Sequence, residues 1–303
     1  MVASPILAIV GPTAAGKSAL AVDLALAAGG EVINADSMQL YRGLDIGTAK
    51  PSTADMRGVP HHLYDAWDVS QTASVAAYQR LANEVVDAVI DRGRTPVVVG
   101  GSGLYVRALL DDLRFPGTDG AVRARLEREL ASVGAAAMHA RLSTVDPGAA
   151  AAILPGNGRR VVRALEVVEL TGRPFTATLP AYRYRRPAVQ LGVLVALPEL
   201  DARIAARVDA MLAAGLVDEV RRLEGQGLRT GRTASRALGY AQALRHLDGE
   251  LSEAEMRDDI VRATRRFARR QMSWFRRDPR IEWAPAGEII ERAFTLQRRT
   301  LDE

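Results

Sequence analysis

Gly11-Pro12-Thr13-Ala14-Ala15-Gly16-Lys17-Ser18 meets the pattern G-x-x-x-x-G-K-[ST] at every fixed position and follows the apolar run Ile6-Leu7-Ala8-Ile9-Val10. Such a loop holds phosphate. The glycines let backbone N–H groups converge on phosphate oxygens, Lys17 adds a charge, and the Ser18 hydroxyl is placed to ligate Mg²⁺ at a helix N-terminus. A nucleotide hydrolase of this kind also needs an Asp after a hydrophobic strand to hold Mg²⁺. The best strand for that role, Val97-Val98-Val99, runs into Gly100-Gly101-Ser102 instead, and no Asn-Lys-x-Asp guanine-reading motif occurs. This combination points to a diphosphate used as a leaving group rather than to transfer of a γ-phosphate.

A second chemical candidate is Asp36, which ends the run Glu31-Val32-Ile33-Asn34-Ala35. Open α/β sheets bind ligands at the carboxyl ends of their strands. There a carboxylate near the phosphate loop can accept a proton from an incoming nucleophile, cap a helix or ligate Mg²⁺, and spacing alone leaves all three open.

The elements that must position these groups are legible as strand, glycine turn and helix, repeated. Residues 6–10 read as a buried strand, followed by the loop and a helix through Ala28. Ser74 caps a helix with apolar positions at Val75, Tyr78, Leu81, Val85, Val86 and Val89. Val97-Val98-Val99 precedes a helix from Leu104. The strands lack alternation, as expected when both faces are covered. The expected fold class is therefore α/β, a P-loop NTPase-like parallel sheet flanked by helices. After about Arg114 the chain becomes helical and rich in Ala, Arg and Glu, with a break at Asp146-Pro147-Gly148 and a helix from Arg159 to Leu170 ending at Gly172. A buried strand resumes over 189–197. We expect a discontinuous catalytic core, 1–113 and 187–303, with a helical insertion at 114–186.

Several ordered motifs then make the chain resemble the bacterial tRNA dimethylallyltransferases, also called IPP transferases. They are Asp36-Ser37-Met38-Gln39-Leu40-Tyr41-Arg42-Gly43-Leu44-Asp45-Ile46-Gly47-Thr48-Ala49-Lys50-Pro51, Pro60-His61-His62-Leu63, Val98 to Tyr105, Arg163-Ala164-Leu165-Glu166-Val167, Ser235 to Tyr240, and Arg269 to Arg276. The resemblance runs from about residue 6 to 283. It implies transfer of a dimethylallyl group from its diphosphate to N6 of the adenosine beside the anticodon, position 37 of tRNA, with the phosphate loop holding the prenyl diphosphate. By matching motif, Asp36 would be the general base. Ser102, where the family usually has Thr, would help place the amine, and Arg236 would grip the departing diphosphate alongside Lys17.

An adenine in a structured loop must be extruded to reach a closed channel, and phosphate contacts elsewhere must offset that. The resemblance matches Asp36, Ser37, Met38 and Gln39, Ser102, Arg123, the run Arg159-Arg160-Val161-Val162-Arg163, and Val261-Arg262-Ala263-Thr264-Arg265-Arg266 to tRNA-contacting stretches. On one helix, residues 262, 266, 269 and 270 share a face. The expected partners are the tRNA anticodon arm and dimethylallyl diphosphate, with Mg²⁺ as cofactor, no membrane, and a monomer as the acting form. Where the family commonly has His-Pro-Asn-Asp, this chain has Leu154-Pro155-Gly156-Asn157, which sets the local contact apart.

Composition narrows the rest. The net charge is +4, Lys occurs only at Lys17 and Lys50, and Cys is absent, which excludes disulfides, thiolate catalysis and a Cys-ligated zinc module. The absence of a leader or an apolar run of spanning length implies the cytoplasm. His61-His62 point apart on a strand and suit hydrogen bonding better than metal, and Trp67, Trp274 and Trp283 suit packing. Competing readings are an adenylate isopentenyltransferase, which has no need of the 114–186 insertion, a phosphate-loop kinase, and a non-catalytic RNA-binding protein.

Overall fold

The computed structural model describes residues 4–175 and 181–302. Among these, a six-stranded parallel sheet has the order β3-β2-β4-β1-β5-β6. Its strands are β1 (Ile6–Val10), β2 (Gly30–Asn34), β3 (His61–His62), β4 (Thr95–Gly100), β5 (Ala188–Leu194) and β6 (Ile281–Pro285). The central strand β1 pairs with β4 from Leu7 opposite Val97, and with β5 from Ile6 opposite Ala188. Because β1 is buried along its whole length, it needs apolar residues on both faces, which is why its sequence does not alternate. The fold is P-loop NTPase-like, as expected.

The helices of the first part of the chain are α1 (Lys17–Ala28), α2 (Thr53–Met56), α3 (Val75–Asp91) and α4 (Gly103–Leu110). The Ser74 hydroxyl accepts the Ala77 N–H and so starts α3 as its sequence predicts. Leu7, Ile9, Val97, Val99, Leu191 and Val193 pack beneath α1 residues Val22 and Leu24. Gly192 has room for no side chain, since a Cβ there would lie 2.5 Å from the Trp283 ring. Trp283 is thus a packing residue, closing β6 onto β5.

Two compact units divide the chain, Met1–Asp112 with Tyr184–Glu303, and Leu113–Arg183. The sequence reading placed the insertion at 114–186. Residues 184–186 stay with the sheet unit because Tyr184 bridges Asp111 in antiparallel fashion and the Arg185 N–H donates to the Leu110 carbonyl at 2.8 Å. The smaller unit holds α5 (Gly120–Val145), α6 (Pro147–Ala152) and α7 (Gly158–Thr171). Helix α5 breaks at Gly134, whose φ is +82°. The Asp146 carboxylate caps α6 by accepting from Ala149 N, and Gly172 ends α7 at φ +63°. Leu126, Met138, Leu142, Val161 and Leu165 form its core.

In the sheet unit, α8 (Leu197–Ala213), α9 (Leu216–Glu224), α10 (Tyr240–Leu247) and α11 (Glu253–Phe275) follow β5, and α12 (Ile289–Asp302) follows β6. Strand β5 stops at Leu194 rather than 197 because Pro198 stands in the first turn of α8, where its missing N–H costs nothing. The four helices α8 to α11 enclose a second core around Tyr41, Val208, Met211, Val220, Tyr240 and Ile260.

Candidate active site

The phosphate loop leaves β1 through Gly11 at φ +141°, passes Ala14 at φ +62°, and enters α1 through Gly16 at φ +85°. Ala14 is a non-glycine residue in the left-handed region, a conformation concentrated at functional loops. No side chain caps α1, so its first-turn N–H groups face outward as an anion cradle. The ammonium of Lys17 donates to the Pro12 carbonyl at 2.6 Å. Burial lowers its pKa to about 8; Asp36 pulls it back up and Arg207 pushes it further down. Lys17 and Asp36 therefore lie within electrostatic reach of each other.

Asp36 sits just past β2, where Asn34 fixes the turn. Fully buried Asn34 accepts the Asp36 N–H at 2.8 Å and donates to the carbonyls of Asp36 and Leu63. The Asp36 carboxylate accepts the Met38 N–H at 2.9 Å. Residues 37–40 form turns, so of the three roles left open by spacing, helix capping is not the one observed. One carboxylate oxygen remains for other chemistry.

Ser102 opens α4 without capping it. Its hydroxyl instead accepts the Ser37 N–H at 3.2 Å and lies 3.2 Å from the Ser37 hydroxyl. The turns after β2 and β4 are thereby joined. Gln271 of α11, which sequence reasoning did not single out, joins the turn after β4 to the phosphate loop: its amide oxygen accepts the Thr13 N–H at 2.8 Å and its nitrogen donates to the Gly101 carbonyl at 2.9 Å. A Cβ at Gly103 would lie 2.1 Å from the Trp274 indole, so Trp274 also serves packing.

These turns border a cavity of about 650 Å³. Its lining includes Thr13, Asp36, Ser37, Met38, Ser102, Thr48, Arg207 and Arg236. The remaining wall is one face of α11, with Ile260, Thr264, Phe267, Gln271 and Trp274 at helical spacing. Of the charged lining residues, Asp36 is the sole anion against Arg207, Arg236 and Arg270. The Arg207 guanidinium donates to the Thr48 carbonyl at 2.9 Å; burial lowers its pKa, and Asp36 counters that. Arg236 is exposed, and its side chain has no hydrogen-bond or ion-pair partner among the described residues. Arg207 was also missed from the sequence, where it is one arginine among many on an amphipathic helix.

The basic stretches divide by burial. Val161 and Val162 belong to the core of the smaller unit, and Val261 and Ala263 are buried in the larger one. Their side chains are turned into the protein, so within these runs the arginines carry the exposed charge. Arg123 and Arg163 both pair with the carboxylate of Glu166, which has no exposed surface; Arg163 also donates to the carbonyls of Pro116 and Gly117. Despite burial, the two guanidiniums hold the Glu166 pKa below its usual value. Arg159 and Arg266 are exposed without an ion-pair partner among the described residues, while Arg262 pairs with Asp259, and Arg265 and Arg269 with Asp201. Arg270 lies 5.8 Å over the Phe267 ring at the cavity.

Among the described residues no group of three or more His, Asp or Glu is arranged to hold a metal. His61 contacts the Val59 carbonyl at 2.8 Å and His62 contacts Glu31 at 2.6 Å, so both serve hydrogen bonding. Ser18 is exposed on the first turn of α1 with its hydroxyl unpartnered among the described residues. Such a lone donor fits Mg²⁺ when substrate oxygens and water complete the shell. No helix among these residues is long and apolar enough to cross a membrane.

The site can be set beside known proteins. The chain matches the family model described as IPP transferase over residues 39–278. It is 64% identical over 300 residues to a tRNA dimethylallyltransferase of Thermobifida fusca, covering 97% of this chain and 94% of that one. A tRNA dimethylallyltransferase of Streptomyces coelicolor is 65% identical over 282 residues, covering 93% and 90%. Among solved structures, the full-length tRNA isopentenylpyrophosphate transferase of Bacillus halodurans superposes with a TM-score of 0.72 at 40% identity, covering 99% of this chain and 97% of that one. A eukaryotic dimethylallyltransferase acting on tRNA gives 0.78 at 26% identity, covering 93% and 74%. With a phosphate loop, a carboxylate and a hydroxyl on one cavity and matches of this extent, the chain belongs to the IPP transferase family and is a transferase.

Proposed function

We propose that this enzyme transfers a dimethylallyl group from dimethylallyl diphosphate to N6 of adenosine 37 of tRNA, beside the anticodon. The observation that carries the reading is the meeting of Asp36, Ser102 and the phosphate-loop residue Thr13 on one cavity whose other charges are all arginines. The N6 lone pair attacks C1 of the allyl group, the C1–O bond breaks, and the bonding pair leaves with the diphosphate. Asp36 takes the N6 proton, and Ser102 orients the amine. An exocyclic amine is a poor nucleophile, so holding it against C1 contributes much of the acceleration. Backbone N–H groups of residues 14–18, Lys17 and Arg236 meet the charge that grows on the diphosphate. Ser18 would hold Mg²⁺, which supplies further neutralisation of that charge when bound. The exposed arginines Arg159 and Arg266 contact tRNA phosphates, and the enzyme acts as a monomer in the cytoplasm.

The test is label transfer from dimethylallyl diphosphate, with Mg²⁺, to unmodified bacterial tRNA and separately to AMP, using wild type and Asp36→Ala. Label on tRNA alone, lost with the substitution, is the expected result. Label on AMP would indicate an adenylate isopentenyltransferase, and ATP hydrolysis without label would overturn the assignment of the phosphate loop.

A further inference from the structure

Glu219 lies on the apolar stripe of α9 between Leu216, Val220 and Leu223 and is only 2% exposed. A buried carboxylate is costly unless its charge is met. Here no cation meets it among the described residues; three dipolar donors do. The Ile46 N–H reaches its two oxygens at 2.9 and 3.1 Å, the Gly47 N–H reaches Oε1 at 3.3 Å, and the Tyr240 hydroxyl reaches Oε1 at 2.5 Å.

These donors come from two separate pieces of the cavity wall. Gly47 and Thr48 line it on one strip, and Arg236, Ala237, Leu238 and Gly239 on another. The strips leave no slack, since a Cβ at Gly47 would lie 2.4 Å from the Tyr240 ring. Arg236 has no side-chain partner of its own, so its place is set by the backbone that Tyr240 anchors. Arg207 depends on the first strip through its bond to the Thr48 carbonyl.

We propose that Glu219 is a positioning residue for the transfer reaction, fixing Arg236 and Arg207 across the cavity at the separation the diphosphate requires. This rests on the reading that Arg236 grips the diphosphate. In Glu219→Gln the amide nitrogen would replace either Oε2, facing the Ile46 N–H, or Oε1, facing the Gly47 N–H and the Tyr240 hydroxyl, and the joint between the two strips would loosen.

The experiment is steady-state kinetics with dimethylallyl diphosphate and tRNA for wild type, E219Q, R236A and the double variant, with Tm measured for each. We expect the donor KM of E219Q to rise about tenfold with the tRNA KM within about twofold. In the R236A background E219Q should add less than about twofold, because residues acting through one another are not additive. A purely structural role would lower Tm and the active fraction with donor KM unchanged; that result, or full multiplication of the two effects, overturns the inference. An unchanged donor KM in R236A would instead overturn the diphosphate reading beneath it. Should E219Q not fold, Tyr240→Phe removes one donor, keeps both backbone bonds, and is read by the same criteria.

Discussion

The hydroxyls of Ser37 and Ser102 lie 3.2 Å apart, and the Ser102 oxygen also accepts the Ser37 N–H. One hydroxyl thus ties the turn that carries Asp36 to the turn that begins α4. Removing it in Ser102→Ala loosens both and leaves the incoming amine without a partner. We expect kcat to fall about 10- to 100-fold, with Ser102→Thr within a few-fold of wild type. Equal losses in both variants would refute a role for the hydroxyl.

Asp36→Asn keeps the acceptor for Met38 N–H and with it the turn, while deleting the base. Loss of general-base catalysis is worth roughly 10²- to 10⁴-fold in rate. Rapid-quench measurement should show that loss at unchanged donor Kd; a fall of less than threefold would assign proton removal elsewhere.

Burial lowers the Lys17 pKa from 10.5 to about 8. Bound diphosphate favours the charged form and raises this pKa again. Donor binding is then at full strength below about pH 8 and weakens as pH rises above it, where a proton must be taken up. The kcat/KM for donor should show a basic limb near pH 8, and calorimetry in buffers of different ionisation enthalpy should show proton uptake there. In the free protein the sign is opposite for folding: the charged lysine is penalised below about pH 8, and that penalty is relieved between 8 and 10.5.

Gln271→Ala leaves the Thr13 N–H and the Gly101 carbonyl unpaired. An unsatisfied buried group costs about 1–3 kcal/mol. Chemical denaturation should report that loss, and donor KM should rise because Thr13 belongs to the phosphate loop. Gly101→Ala tests the same joint from the other side, since its Cβ would lie 2.3 Å from the Gln271 amide nitrogen.

For tRNA, the exposed Arg159 and Arg266 and the engaged Arg163 should behave differently. Arg159→Ala or Arg266→Ala should reduce the slope of log K against log salt by about 1 with little change in Tm. Arg163→Ala withdraws a partner from the fully buried Glu166 and should lower stability by about 1–3 kcal/mol. Filter binding at several salt concentrations, beside thermal melts, separates the two; a flat salt profile for wild type would count against phosphate contacts altogether.

Local signals were the readable ones. The phosphate loop follows from its own eight residues, the Ser74 cap from one hydroxyl, and the ends of α6 and α7 from Asp146 and Gly172. Gln271 and Glu219 were hidden because their meaning lies in residues 258 and 173 positions away. Glu219 did leave one trace, a carboxylate on the apolar stripe of a helix. Asn34 looked like the tail of a strand, and only the loop at Leu63 reveals it as a clamp. The burial of the valines inside the basic runs follows from the helical period, which turns part of any such run toward the core.

The bond between Thr13 and Gln271 also has a meaning in time. Synthesis proceeds from the N-terminus at roughly 5–20 residues per second, so the loop leaves the ribosome some tens of seconds before the glutamine that completes it. Strand β1 likewise waits for β5, 182 positions on from Ile6 to Ala188. Throughout that interval the nascent chain carries an open sheet edge and an unfinished anion cradle. Chain order therefore makes the phosphate loop the first part of the site to be made and one of the last to become competent.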